Sequence, residues 1–301
     1  MGAERVQSPP LVVLGGSGLV GTALLAHWHD QFELIAPTHA ELDVLDQQAL
    51  AAFLEHTPAS VVVNLAAWAD VDAAEAERED TDGPVYRLNV TYPAQLAKLC
   101  RQLDKHLVHI STDYVFDGAN GHRPYTEQDA AHPLCWYAQT KFDGEHAVLQ
   151  SGANVCIARI EMPFTGRSHP KRDLARTISA RLREGQPIQG VSDQRITPLL
   201  LQDAASALRR LVESRYSGIM HVAASDWTTP FAFACSIAQR LDLPRELIQP
   251  VTFDSFASTR PARRPRHSWL DVSQFASVFG PGILRSVDEE LDNWAHELRL
   301  P

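Results

Sequence analysis

Short apolar, β-branched runs alternate along the first half of the chain with stretches whose apolar positions recur every three to four residues. Residues 11–14, 32–36, 60–64, 106–111 and 154–159 predict strands, and helices are expected over 18–29, 46–56 and 84–103. That alternation is the rhythm of βαβ units. The strand runs are apolar at nearly every position, so both faces of the sheet should be covered, as in a parallel sheet. Asp46 ahead of Gln47 reads as an N-cap, its carboxylate accepting from the first free backbone N–H groups. The fold class is therefore α/β, a Rossmann-type doubly wound parallel sheet.

After about residue 159 the rhythm loosens. Pro163, Pro170, Pro187 and Pro198 punctuate shorter elements, with helices expected near 201–213 and, amphipathically, over 287–298. Two units are expected: a larger one over 1–163 with a returning segment at about 187–222, and a smaller one from 164–186 and 223–301. A basic, proline-rich loop, Arg260 to His267, lies in the second.

Of 301 residues, 45% are hydrophobic and 21% charged, enough for a sizeable core. Lys and Arg number 27 against 37 Asp and Glu, a net charge of −10, which disfavours nucleic acid as a partner. The longest apolar stretch, 11–26, is shorter than the ~20 residues of a membrane span and is interrupted by glycines. No basic region of the secretory kind precedes Pro9-Pro10, so the expected location is the cytoplasm. Cys100, Cys135, Cys156 and Cys235 are widely spaced, with no CxxC pair, and read as buried spectators. No His, Asp and Glu cluster has metal-ligand spacing, so no metal is assigned.

The segment Gly15 to Gly21, Gly-Gly-Ser-Gly-Leu-Val-Gly, follows the first strand and opens the first helix. Backbone N–H groups at such a helix start can cradle a pyrophosphate. Gly15 permits the tight turn, Gly18 lets the backbone approach phosphates, and Gly21 allows helix to pack closely on sheet. An acid at the end of the second strand would favour NAD and an arginine NADP, but that strand ends in Pro37-Thr38-His39. A 2′-phosphate would rely on Thr38, His39 and backbone groups. Asp43 could touch the adenine amino group or stand as a solvated loop carboxylate.

Tyr137 and Lys141 stand four apart, on one helix face. A cation beside a phenol favours the phenolate and brings it nearer the working range of a general acid. The pair follows Ser111-Thr112, at the end of a predicted strand, where active-site groups of an open α/β sheet collect.

With Glu41 to Val44, Asn64 to Ala67, Val71-Asp72, Ala74-Glu75, Leu88-Asn89, Ser111 to Gly118, Pro124-Tyr125, Glu127, Gly144-Glu145, Asp193-Gln194, Thr197-Pro198, Arg264-Pro265, Ser268 and Leu270, these motifs resemble the extended short-chain dehydrogenases. Within them the chain is most similar to the dTDP-4-dehydrorhamnose reductase family, to which the methionine adenosyltransferase regulatory beta subunit also belongs. The resemblance implies reduction of a nucleotide-linked 4-keto-6-deoxysugar by NADPH or NADH. Thr112 would hydrogen-bond the substrate carbonyl, Tyr137 would protonate it, and Lys141 would hold the nicotinamide ribose and tune Tyr137. The cofactor would lie along Gly15, Ser17, Gly18, Leu19, Val20, Gly21, Thr38, His39, Asp43, Val44, Leu65, Ala66, Ala67, Asn89 and Ser111, with Tyr137 and Lys141. Asn89 would steady a proton-relay water or serve as a structural helix residue. Trp68, Asp113 and Tyr114 would face the substrate, while Phe116 is better read as core. Arg264 and Arg266 would meet the sugar-nucleotide diphosphate or form a solvated surface.

The chain departs from the family at three places. The segment Ile160 to Gly166, Ile-Glu-Met-Pro-Phe-Thr-Gly, stands where a small polar residue and an aromatic usually line the sugar site, Arg172-Asp173-Leu174 replaces an Asn-Phe-Val type segment, and His39 stands where an arginine is often found. Glu161 is accordingly a candidate substrate residue. Two other readings stay open: a non-catalytic dinucleotide-binding regulatory subunit, and a sugar-nucleotide epimerase or dehydratase with retained NAD. Tyr114 stands where an elimination enzyme would carry a second carboxylate. The partner expected is a nucleotide sugar, with no nucleic acid, no membrane, and a homodimer left open.

Overall fold

The computed structural model describes residues 10–299; the residues before Pro10, on which the reading of the chain's start rests, lie outside it. The strands are β1 (Pro10–Leu14), β2 (Glu33–Ile35), β3 (Val61–Asn64), β4 (His106–Thr112), β5 (Val155–Ile160), β6 (Pro163–Phe164), β7 (Ile188–Val191), β8 (Leu199–Leu200), β9 (Gly218–Val222) and β10 (Ile248–Val251). Six of them form one parallel sheet in the order β2-β1-β3-β4-β5-β9. Strand order reverses between β1 and β3, which opens a crevice at the carboxyl ends of the strands. The glycine turn leaves β1 there, and Leu65 to Trp68 leave β3 beside it.

Apolar side chains bury both faces of the sheet, as the continuous strand runs require. Leu11, Val13, Val63 and Val108 pack with Leu24 and Trp28 on one face, whereas Val12, Leu14, Val62 and Leu107 pack with Leu50, Leu54 and Leu96 on the other. The helix Gln47–His56 is capped by Asp46, whose carboxylate accepts from Gln48 N and Ala49 N at 3.0 Å each. A separate core gathers Phe164, Ile178, Phe233, Ile237, Ile248, Leu291 and Trp294 around the small parallel pairs β6–β8 and β7–β10. The helix Leu201–Ser214 and β9 return to the large sheet. No helix among the described residues is long and apolar enough to cross a membrane.

One expected element differs. In place of a single helix over 84–103 there is a turn at Pro84–Tyr86, a π-helical stretch Arg87–Thr91 and a helix Tyr92–Gln102. Pro93 has no N–H for the carbonyl of Asn89 and its ring crowds that carbonyl, so the backbone widens ahead of it. Against the same carbonyl packs Gly144, where a Cβ would fall 2.1 Å from Asn89 O.

Candidate functional site

The turn after β1 is shaped by two glycines. Gly15 has φ +83°, and a Cβ there would stand 2.6 Å from Ala66 N; at Gly21 a Cβ would stand 2.4 Å from Gly15 O. Nothing larger fits between the turn and the strand beside it. On one side of the turn lies a cavity of about 320 Å³ lined by Ser17, His39, Asp43, Val44 and Ala66. On the other lies one of about 460 Å³ lined by Leu19, Val20, Gly21, Ser111, Thr112, Asp113, Tyr114, Tyr137 and Lys141. Gly15, Gly18, Leu65 and Ala67 belong to both, so the two cavities make one trough with a glycine floor. A trough that crosses a helix N-terminus at the switch point of the sheet is built for an elongated anionic ligand such as a dinucleotide.

In the larger cavity the helix Trp136–Gln150 presents Tyr137 and Lys141, and the end of β4 presents Thr112. Lys141 Nζ donates to Ile110 O at 2.8 Å. Burial lowers the Lys141 ammonium to about 8, with Glu145 pulling the other way. Burial also raises the Tyr137 phenol well above its ordinary range, against the hydrogen bond of Thr112. At neutral pH the site therefore holds a protonated phenol, a hydroxyl and an ammonium.

Behind these groups sit two buried carboxyls. Asp113, 3% exposed, accepts from Thr112 Oγ1 at 3.0 Å through Oδ1, and its Oδ2 has no hydrogen-bond partner among the described residues. Glu161, fully buried after β5, accepts from Thr197 N at 2.8 Å, from the Thr197 hydroxyl, and from Ser268 Oγ at 2.6 Å. Burial raises both, and the Glu161 charge raises Asp113 further; Glu161 stands at about 7. Glu161 thus lies under the cavity wall, held by Thr197 and Ser268.

Several other candidates have partners of their own. Thr38 is bound through N and Oγ1 to Glu41 Oε2, at 2.8 and 2.9 Å, while His39 next to it faces the smaller cavity. Asn89 is fully buried and bonds both backbone groups of Trp68 and the Thr140 hydroxyl, so it braces the loop after β3. Trp68 packs with Tyr86, Trp136 and Tyr137. Arg264 forms a two-pronged pair with Asp72, at 3.0 and 2.7 Å. Arg266 bridges Asp193 and Asp254, away from the cavity lining. Phe116 is fully buried and stacks on Tyr125 at 4.3 Å, as core.

The sequence reading marked Arg172 only as part of a departure from the family and did not place His169 or Lys171 at the site. His169, Lys171 and Arg172 line the larger cavity together with the glycine turn, and His169 Nε2 lies 3.3 Å from Ser17 O. In a chain with lysine at four positions only, Lys171 was a legible signal, but proximity across 150 residues was not.

A family model described as RmlD substrate binding domain matches residues 10–299. The dTDP-4-dehydrorhamnose reductase of Mycobacterium tuberculosis is 32% identical over 276 residues, covering 90% of this chain and 87% of that protein. Methionine adenosyltransferase 2 subunit beta of Mus musculus is 29% identical over 289 residues, covering 91% and 84%. The crystal structure of a dTDP-4-dehydrorhamnose reductase from Clostridium acetobutylicum superposes with a TM-score of 0.87 at 25% identity, covering 97% of this chain and all of that one.

Proposed function

The chain belongs to the RmlD substrate binding domain family, with the dTDP-4-dehydrorhamnose reductases among its relatives, and from that premise we propose that it reduces the C4 ketone of a nucleotide-linked 6-deoxysugar with NADPH or NADH. The observation that carries this reading is the convergence of Thr112, Tyr137 and Lys141 on the cavity that the glycine turn opens into. The glycine floor, which a Cβ at Gly15 or Gly21 would fill, suits a cofactor pyrophosphate. His39, Asp43 and Val44 would hold its adenosine end, and Lys141 its nicotinamide ribose.

Bound NADPH or NADH supplies the hydride to the ketone carbon. With substrate bound, the Thr112 hydroxyl would turn from Asp113 Oδ1 to the ketone oxygen and orient it, and the Tyr137 O–H delivers the proton to that oxygen as negative charge develops there. The raised Tyr137 phenol keeps its proton until the oxygen becomes basic enough to take it. Lys141, cationic below about pH 8, stabilises the phenolate left behind. We assign the sugar-nucleotide side of the site to the smaller unit, 164–186 with 223–301, facing Trp68 and Tyr114. Arg264, already paired with Asp72, fixes that wall and would meet a diphosphate only through its remaining N–H groups.

Similarity to methionine adenosyltransferase 2 subunit beta supports a second reading, a dinucleotide-binding subunit without turnover. Consumption of NADPH or NADH that depends on dTDP-4-dehydrorhamnose formed in situ supports the reductase. Binding of both coenzymes with no such consumption supports the subunit.

A further inference from the structure

We propose that Asp113 acts as a neutral carboxylic acid, donating a hydrogen bond through Oδ2 to an oxygen of the bound keto-sugar, and that Glu161 is the positioning residue that keeps it so. The proposal deepens the reductase reading and rests on it. Its ground is the unequal distribution of donors between two buried carboxyls. Three donors converge on Glu161: Thr197 N, the Thr197 hydroxyl and Ser268 Oγ. Asp113 accepts one side-chain donor, the Thr112 hydroxyl, while the Ser268 proton goes to Glu161. Two carboxylates in one buried place do not both ionise, and the negative charge settles where the donors are. That place is Glu161, so the shared proton stays on Asp113.

The surrounding cations do not alter this division. Lys141 is held by the carbonyl of Ile110, Arg264 by Asp72, and Arg159 by Glu145. His221 is buried and kept neutral, and Tyr114 and Tyr137 are neutral phenols raised by burial. Asp113 Oδ2 is buried and unpartnered in the described structure, in a residue that lines the same cavity as Thr112 and Tyr137. A protonated carboxyl there adds a third donor to a site whose other two are hydroxyls, and an ionised one would repel the oxygen on which charge develops.

The test has two arms. The first compares kcat/KM against pH for the wild type, Glu161→Gln, Asp113→Asn and the double variant. Glu161→Gln removes the buried anion and lets Asp113 ionise at lower pH. It should cost ~10-fold or more at neutral pH and recover as the pH is lowered, because the donating form exists below the Asp113 pKa. Adding Asp113→Asn to Glu161→Gln, which restores a neutral donor, should recover most of that loss and flatten the profile. Equal loss at every pH, or no recovery in the double variant, overturns the proposal. The second arm needs no turnover: the infrared carbonyl band of a protonated carboxyl at neutral pH should shift when aspartate is 13C-labelled, and the shift should vanish in Asp113→Asn. A band that 13C-aspartate leaves in place overturns the assignment of the proton, even if Tyr137→Phe retains full activity and the reductase reading itself has failed.

Discussion

Lys141 Nζ and Ile110 O are 2.8 Å apart, so the ammonium four residues from Tyr137 is tethered to the strand that carries Thr112. The tether fixes the distance between the helix and the strand end. The Ile110 carbonyl and the Glu145 carboxylate both favour the charged form against burial.

A pH dependence follows. Burial brings Lys141 down to about 8, and the cation is the form below that value. If the ammonium supports proton donation, kcat/KM falls as the pH rises through about 8, and Lys141→Met lowers turnover by ~10²-fold at neutral pH. A pH–rate profile that stays flat well above 8 would remove Lys141 from the chemistry.

The family motif Gly144-Glu145 has a structural role. Glu145 and Arg159, 1% and 3% exposed, form a two-pronged pair at 2.9 and 2.7 Å between the Tyr137 helix and β5. Glu145→Gln leaves a buried guanidinium uncompensated and should cost about 3–5 kcal/mol in urea unfolding. Removing both charges, with Glu145→Leu and Arg159→Met, should cost clearly less; an equal or greater loss would contradict the argument.

At the turn, Gly15→Ala must place its Cβ 2.6 Å from Ala66 N in a left-handed conformation. A stability loss of about 1–3 kcal/mol is expected. Because the shifted backbone also lines both cavities, NADPH affinity by fluorescence titration should drop ~10-fold. An unaltered affinity would place the cofactor elsewhere.

Lys171 and Arg172 line the same cavity as the glycine turn, in a chain with no Lys or Arg between Arg5 and Arg78. Replacing both by alanine should raise the KM for NADPH ~10-fold and reduce its salt dependence, with a smaller effect on kcat. Salt titration of the two proteins checks this, and parallel salt slopes would exclude a role in phosphate binding.

Much of the fold was legible because its signals are local. The apolar runs locate the five predicted strands, Asp46 caps where expected, and the spacing of Tyr137 and Lys141 survives because one helix carries both. The π-helical break at Arg87–Thr91 was written in Pro93 but masked by the helical periodicity around it. The pairing of Arg264 with Asp72, and of Glu161 with Thr197 and Ser268, joins residues 36 to 192 positions apart. No periodicity reports such contacts, and they alone decide which charged residues line the cavity and which brace its walls.

The most direct test of the reductase account is the rate of NADPH or NADH consumption with dTDP-4-dehydrorhamnose in wild type and Tyr137→Phe, alongside cofactor titration of both. Removing the phenolic proton donor should lower turnover by ~10²-fold or more while cofactor affinity is largely retained. Wild-type turnover in Tyr137→Phe would contradict the account.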